Sequence, residues 1–220
     1  MLFCPINTPR GYLVLKPILT YAAPTLIIAG IWLVSFEFWP EKIDKFSKCR
    51  TSPITGVAGS IGGPFTLINQ KGIMVTDADV ITEPSLIYFG YTFCPDVCPL
   101  DAVRNSDVVD ILAQIGKSVT PIFISIDPQR DTHEVMSEYS NWLHPKMIAL
   151  TGSQEQVKAA SKAYGTYYKL HSDEDKEFYL IDHSTMSYLV FPEHGFVEFF
   201  RRDQSAEKVA EKVACFIKNS

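Results

Sequence analysis

The fold is decided by the stretch Leu86-Ile87-Tyr88-Phe89-Gly90-Tyr91-Thr92-Phe93-Cys94-Pro95-Asp96-Val97-Cys98-Pro99. Its first four residues form an apolar run typical of a buried strand, whereas Pro99 and the spacing of apolar residues from 103 to 115 indicate a helix. Cys94 and Cys98 therefore lie where a strand ends and a helix begins. Thiols at a helix start face unpaired N–H groups and the positive end of the helix dipole, which predicts a lowered pKa for both cysteines.

Short strands and helices alternate on both sides of this stretch, from Pro64 to the C-terminus. We predict strands at 65–69, 73–75, 119–126, 147–150 and 178–181, helices ending near 116, 143 and 164, a β-hairpin over 186–200 and a last helix over 205–217. Asp131, with Glu134 three residues later, predicts a capping box at one helix start. The alternation indicates an α/β fold. A strand–cysteine–helix beginning and a late hairpin indicate a thioredoxin-like three-layer sandwich over residues 64–220.

Length and charge limit the class of protein. With 220 residues, 46% of them hydrophobic, the chain is long enough for one ordinary domain and an appendage. The formal net charge of −5, without a long run of Lys or Arg, leaves no electrostatic footprint for nucleic acid. We therefore expect no nucleic-acid partner.

The appendage is predicted to be a membrane anchor. Residues 17–36 carry no charge, which suits a helix crossing a hydrocarbon core of about 30 Å. A cleaved signal peptide is the alternative, but the apolar stretch exceeds a typical h-region and no Ala-x-Ala-like site follows it before Pro40. We therefore predict a short tail at 1–16, a retained transmembrane helix at 17–36 and a polar, glycine-containing tether at 37–63.

The orientation of this anchor is ambiguous from charge, because basic residues lie on both sides of it. The tail lacks the Arg- and Ser-rich amphipathic character of a mitochondrial transit peptide, which favours a bacterial inner membrane. The mitochondrial inner membrane, with the domain facing the intermembrane space, is the alternative.

The cysteine pair is a candidate metal site. Three residues separate Cys94 from Cys98, where thioredoxin-type oxidoreductases usually have two, and residues four apart on a helical turn face the same way. The best third ligand is His183, because the polar triplet 182–184 interrupts an apolar strand region and needs a reason to be there. The remaining histidines are interpreted as solvated: His133, His144, His171 and His194.

Two thiolates and one imidazole form a soft, low-coordinate donor set. It suits Cu(I), and it suits Cu(II) if water or another group adds a ligand. Zinc is the competing ion, but structural zinc sites usually close with four protein ligands and only three are found here. Copper is therefore the preferred metal.

Three motifs in order carry a resemblance to a known family: the stretch quoted above through Pro99, Ser125-Ile126-Asp127-Pro128-Gln129-Arg130-Asp131-Thr132, and Asp182-His183-Ser184. The chain resembles the Sco (SenC) family of copper-site assembly proteins over most of residues 60–220, and the predicted anchor fits as well. The resemblance implies a thioredoxin-like fold and a copper site made by Cys94, Cys98 and His183.

The resemblance also implies a role. Such a protein delivers copper to, or reduces the thiols of, the dinuclear copper site of cytochrome c oxidase subunit II, with its domain outside the cytoplasm. Other copper chaperones or thiol reductants are then expected partners. In an oxidising compartment Cys94 and Cys98 could form a disulfide, which would have to be reduced before metal loading.

The residues around the site are assigned as follows. Asp182 is expected to accept a hydrogen bond from the backbone or from the imidazole and so to orient the ligand, with a turn-stabilising role as the alternative. Asp127 and Arg130 lie in a strand-end loop that could face the site. Since Asp131 and Thr132 are explained as helix caps, we favour a structural role for that motif.

Three further cysteines have no partner that the sequence identifies: Cys4 in the tail, Cys49 in the tether and Cys215 in the last helix. We interpret Cys215 as a partly exposed bystander thiol.

The sequence leaves three functions to compare. The first is a metallochaperone, for which His183 is required and no small-molecule catalysis is expected. The second is a thiol-disulfide oxidoreductase, in which Cys94 and Cys98 alternate between dithiol and disulfide and His183 is dispensable. The third and weakest is a thiol protein that senses or reduces peroxide on the same fold.

Overall fold

The computed structural model describes residues 44–50, 61–171 and 178–220. The described residues from 45 to 220 form one compact unit. The predicted tail and anchor, residues 1–36, lie outside the described part of the chain. Among the described residues, no helix is both long and apolar enough to cross a membrane.

Nine strands and five helices make up this described part. In chain order they are β1 Thr66–Asn69, β2 Met74–Thr76, α1 Asp77–Val80, β3 Ser85–Gly90, α2 Val97–Gln114, β4 Thr120–Ser125, α3 His133–Leu143, β5 Ile148–Thr151, α4 Gln154–Ala163, β6 Tyr168–Leu170, β7 Ile181–His183, β8 Ser187–Phe191, β9 Gly195–Phe200 and α5 Ala206–Asn219. The predicted helices and most predicted strands are confirmed within a few residues.

Seven of the strands form one sheet in the order β2-β1-β5-β4-β3-β8-β9. The central strands β3, β4 and β5 are parallel, so each needs a crossover to reach the next, and α2 and α3 supply those crossovers. β8 pairs antiparallel with both β3 and β9. The predicted hairpin over 186–200 is therefore confirmed.

Helices cover both faces of this sheet, as two consecutive residues of β3 show. Tyr88 and Phe89 point to opposite faces. The Tyr88 ring lies 5.9 Å from Phe123, which in turn contacts Tyr139 of α3 at 4.9 Å. The Phe89 ring lies 5.5 Å from Tyr164 at the end of α4. The three-layer, thioredoxin-like α/β class predicted from the sequence is confirmed.

A separate two-stranded sheet pairs β6 with β7. The sequence did not predict β6, and it placed a strand at 178–181 where the structure has β7 at Ile181–His183. Three-residue strands carry too little alternation for the pattern to be read. This small sheet matters because it carries His183.

The segment 45–50, within the predicted tether, packs against the rest of the domain. Phe46 is buried, with its ring 5.3 Å from Phe216 of α5 and 5.9 Å from Phe191 of β8. Cys49 forms a disulfide with Cys215, 166 residues away in sequence. The interpretation of Cys215 as a bystander thiol was wrong, because the pairing depends on three-dimensional proximity that the spacing of cysteines does not reveal. Cys4 lies outside the described residues.

Candidate metal centre

The two central cysteines lie in the loop and first helical turn that follow β3. The Cys94 N–H donates to the Tyr91 carbonyl at 3.3 Å, which folds the loop into a turn. Cys98 lies in the first turn of α2, and its N–H donates to the Cys94 sulfur at 3.4 Å. Position 90 has no room for a side chain, because a Cβ there would lie 3.1 Å from the Cys98 sulfur and 2.8 Å from the Tyr88 ring. Glycine at this position therefore allows the close packing around Cys98.

A buried carboxylate holds the loop in place. Asp131, fully buried, accepts hydrogen bonds from the Thr92 N–H at 3.1 Å, the Thr92 hydroxyl at 2.5 Å and the Ser125 hydroxyl at 2.6 Å. The prediction that Asp131 caps α3 was wrong. Thr132 is the N-cap, as predicted for that residue, with its side chain accepting from the Val135 N–H. Asp131 instead joins β4 to the cysteine loop.

His183 reaches the cysteines from β7. Its Nδ1 donates to the Ser184 carbonyl at 2.8 Å, so its Nε2 is the atom that faces the Cys98 sulfur, at 3.2 Å. The Tyr88 and Tyr91 rings meet the imidazole edge-on at 6.1 and 6.0 Å. These contacts fix the ring plane and direct Nε2 towards the sulfurs.

Asp182 does not orient the imidazole as the sequence suggested. Its side chain is 67% exposed and contacts the His171 ring at 2.7 Å. Consecutive strand residues point to opposite faces, so Asp182 faces away when His183 faces the cysteines. The orienting acceptor is the Ser184 carbonyl, a backbone group that leaves no trace in the sequence.

The three predicted ligands come together. The sulfurs of Cys94 and Cys98 and a ring nitrogen of His183 all lie within 4.8 Å of one another, which makes them the single group of three potential metal-ligating side chains among the described residues. Cys94 is 9% exposed and Cys98 fully buried, while His183 is half-buried. A partner or an ion would therefore reach the group from the side of Cys94 and His183.

The remaining histidines differ from one another. His133 and His171 keep side chains 44% and 45% exposed, in agreement with the prediction. The prediction was wrong for His144, which is 10% exposed and bonded to Asp110 and to the Lys146 N–H. His194 is half-buried, and its ring packs edge-on against Phe46 at 5.3 Å.

The two thiols have opposite acidities. A hydrogen bond from the Cys98 side chain lowers the pKa of Cys94 to about 3, and His183 and nearby backbone N–H groups act in the same direction. The same hydrogen bond and burial raise the pKa of Cys98. The prediction of a lowered pKa holds for Cys94 and was wrong for Cys98, because a buried pair cannot easily carry two negative charges.

A second buried polar group lies behind the cysteines. The Tyr88 hydroxyl donates to Asp101 of α2 at 3.0 Å, and burial raises the pKa of both side chains. Arg104 lies 3.7 Å from Asp101 and donates to the Ser187 hydroxyl of β8 at 2.8 Å. These contacts fix α2, and with it Cys98, against the sheet. Periodicity alone could not identify them, because polar side chains such as Asp101 and Arg104 are buried alongside the apolar residues of this helix.

The fold and the three clustered side chains define a thioredoxin-like protein with a candidate Cys2His metal site. Residues 55–218 match the SCO1/SenC family model. Protein SenC of Rhodobacter capsulatus is 48% identical over 200 residues, covering 90% of this chain and 89% of that protein. The chain belongs to the SCO1/SenC family.

Two solved structures of relatives are similar in fold and have copper bound. The crystal structure of Arabidopsis thaliana ScoI with copper bound shares 38% identity with a TM-score of 0.69, covering 73% of this chain and 99% of that one. The crystal structure of yeast Sco1 with copper bound shares 34% identity with a TM-score of 0.69, covering 73% of this chain and 90% of that one.

Proposed function

We propose that this protein is a membrane-anchored copper metallochaperone, with copper as its cargo. The observation that carries the proposal is the convergence of Cys94, Cys98 and His183, whose ligand atoms lie within 4.8 Å of one another. Two sulfurs and one imidazole nitrogen match the preference of Cu(I) for soft donors and low coordination numbers. The copper-bound relatives support the choice of metal.

The surroundings of the three ligands suit release as well as binding. Cys98 is buried and held by α2, whereas Cys94 is the more exposed sulfur and its lowered pKa keeps it a thiolate at neutral pH. A three-coordinate ion has room for an incoming thiolate before an outgoing one leaves. Cys94 and the half-buried His183 are therefore the ligands that a receiving protein would displace first.

The proposed target is the dinuclear copper site of cytochrome c oxidase subunit II. We place the domain on the periplasmic side of a bacterial inner membrane, anchored through residues 17–36. The Cys49–Cys215 disulfide supports this placement, because disulfides persist in oxidising compartments and are rare in the cytosol. The apolar character of residues 17–36 supports the anchor.

A second function is favoured by the opposite acidities of the two cysteines. The Cys94 thiolate would attack a disulfide of the target, forming a mixed disulfide and releasing one target thiolate. Cys98 would then lose its proton and attack the Cys94 sulfur, which closes a Cys94–Cys98 disulfide and releases the second target thiolate. The target gains two electrons, and this protein must afterwards be reduced by a thiol donor.

One experiment separates the two functions. The Cu(I)-loaded protein is mixed with the reduced, metal-free copper domain of subunit II, and in parallel the metal-free dithiol protein is mixed with the same domain in its disulfide form. Copper transfer in the first mixture that is lost in His183→Ala supports the metallochaperone. Transfer that fails, together with disulfide reduction that His183→Ala leaves unchanged, would support the oxidoreductase instead.

A further inference from the structure

The strand that carries His183 is attached to the domain by few polar contacts. Among the described strands, β7 pairs only with β6, outside the seven-stranded sheet. Apart from the His183 side chain, one hydrogen bond joins β7 to the cysteine loop among the described residues, from the Ile181 N–H to the Tyr91 hydroxyl at 3.3 Å. A ligand on so small a sheet keeps its position only if other contacts hold the segment leading into it.

Those contacts come from the loop after β4. The Tyr179 hydroxyl donates to Asp127 at 2.6 Å, and the other Asp127 oxygen accepts from the Arg130 Nε. The Arg130 guanidinium also lies 3.7 Å from the centre of the Tyr179 ring. All three side chains are well buried: Asp127 is 1% exposed, Tyr179 is 5% exposed and the Arg130 side chain is 12% exposed.

Arg130 lies between the two segments that carry metal ligands. On one side its guanidinium stacks on Tyr179, four residues before His183. On the other side it lies 4.8 Å from the centre of the Phe93 ring and 5.7 Å from that of Tyr91, in the loop that leads to Cys94. A cation held between aromatic faces is attracted to both. One side chain thus couples the histidine segment to the cysteine loop.

We propose that Asp127, Arg130 and Tyr179 form a latch that positions His183 on the cysteine pair. They do not touch the metal ligands and act through the segment 179–183. The motif containing Asp127 and Arg130, for which the sequence favoured a structural role, thereby acquires a role in the metal site. The copper readout below rests on the proposed function, whereas the latch itself is a property of the metal-free protein.

A residue that acts only by positioning His183 can weaken Cu(I) binding by a limited amount, and this limit distinguishes the latch from a general stabilising role. If His183 occupies its place in only a fraction of molecules, the apparent dissociation constant for Cu(I) rises by the inverse of that fraction. Loss of the latch can therefore weaken Cu(I) binding at most as much as loss of the imidazole itself. In a chain that already lacks His183, loss of the latch should change nothing.

The first test is amide hydrogen exchange in the metal-free, full-length protein. Tyr179→Phe keeps the ring over Arg130 and removes only the hydroxyl that bonds to Asp127. We expect exchange in peptides covering 179–184 to be about tenfold faster, the usual effect of losing one hydrogen bond to a charged group. Tyr167→Phe is the matched control, because that side chain is 60% exposed. Unchanged exchange in Tyr179→Phe would overturn the latch.

The second test is a double-variant cycle for Cu(I) affinity, measured by competition with a chelator. Tyr179→Phe should weaken binding about tenfold in the otherwise native chain and leave it unchanged in the His183→Ala background. The same weakening in both backgrounds would overturn the proposal, because the residue would then act on the whole fold. If the native chain bound no Cu(I), the proposed function would fail, and hydrogen exchange would still decide the latch.

Discussion

Cys94 should react with an electrophile at acidic pH, where ordinary thiols do not. The perturbation is a change of pH from 8 to 4 during alkylation of the reduced protein with iodoacetamide. Because the pKa of Cys94 is lowered to about 3, its thiolate persists throughout this range. Cys98 has a raised pKa and is fully buried, so it should remain unlabelled.

The size of the effect follows from two opposing factors. At pH 5 an ordinary thiol with a pKa of about 8.5 is ionised to about 1 part in 3,000, whereas Cys94 is almost fully ionised. A thiolate of lower pKa is also a weaker nucleophile, by about 200- to 600-fold for this difference at a Brønsted coefficient of about 0.4–0.5. For equally accessible thiols, Cys94 would therefore react about 5- to 15-fold faster than glutathione at pH 5, and the ratio of the two rates should fall about tenfold per pH unit from there towards pH 8.

The assay is mass spectrometry of the labelled peptides at timed intervals, with glutathione as the reference thiol in each tube. Burial of Cys94 lowers every rate by the same factor and leaves the shape of the profile unchanged. The expected profile is nearly flat between pH 5 and pH 8. A rate that falls tenfold for each pH unit between pH 8 and pH 5 would show that Cys94 is a protonated thiol in this range, and would refute its assignment as a thiolate.

Three further predictions concern Cys98, the disulfide and Gly90. Cu(I) binding between pH 7.5 and 9 should release about one proton, from Cys98, so the binding constant should rise about tenfold per pH unit. Calorimetry in buffers of different ionisation enthalpy counts the protons released, and a count of two would contradict this. Replacing Cys49 and Cys215 by serine should lower the free energy of unfolding by about 2–4 kcal/mol and leave the copper stoichiometry unchanged. This is below the ~5 kcal/mol that chain entropy allows for a loop of this length. Equal midpoints of urea unfolding in the native protein and the variant would contradict the prediction. Gly90→Ala should cost about 1–3 kcal/mol by denaturant titration, because the added methyl would lie 3.0 Å from the Phe123 ring, and a neutral result would show that the strand end shifts freely.

The sequence was most informative where a pattern and a chemical requirement coincided. The apolar run before Gly90 and the helix after Cys98 predicted the strand and helix that hold the cysteines, because both are long enough for their periodicity to show. His183 was identified because a polar triplet in an apolar region needs an explanation. Each of these inferences used information that is local in the chain.

The rest depended on contacts between distant parts of the chain. The Cys49–Cys215 disulfide joins residues 166 apart, and no spacing rule predicts such a pairing. The pKa of Cys98 could not be assigned from its helix position, because the neighbouring thiolate outweighs the helix dipole. The acceptor that orients His183 is a backbone carbonyl, which every residue possesses.

The most direct test of the central claim is a Cu(I) competition titration of the reduced, full-length protein. The native chain is compared with Cys94→Ser/Cys98→Ser, with His183→Ala and with His171→Ala, a matched control for an exposed histidine 12 residues before His183 in the sequence. The account predicts one tight equivalent that is lost in the double variant, weakened without His183 and unchanged without His171. Weak binding that is indifferent to His183, or tight binding that survives in the double variant, would contradict it.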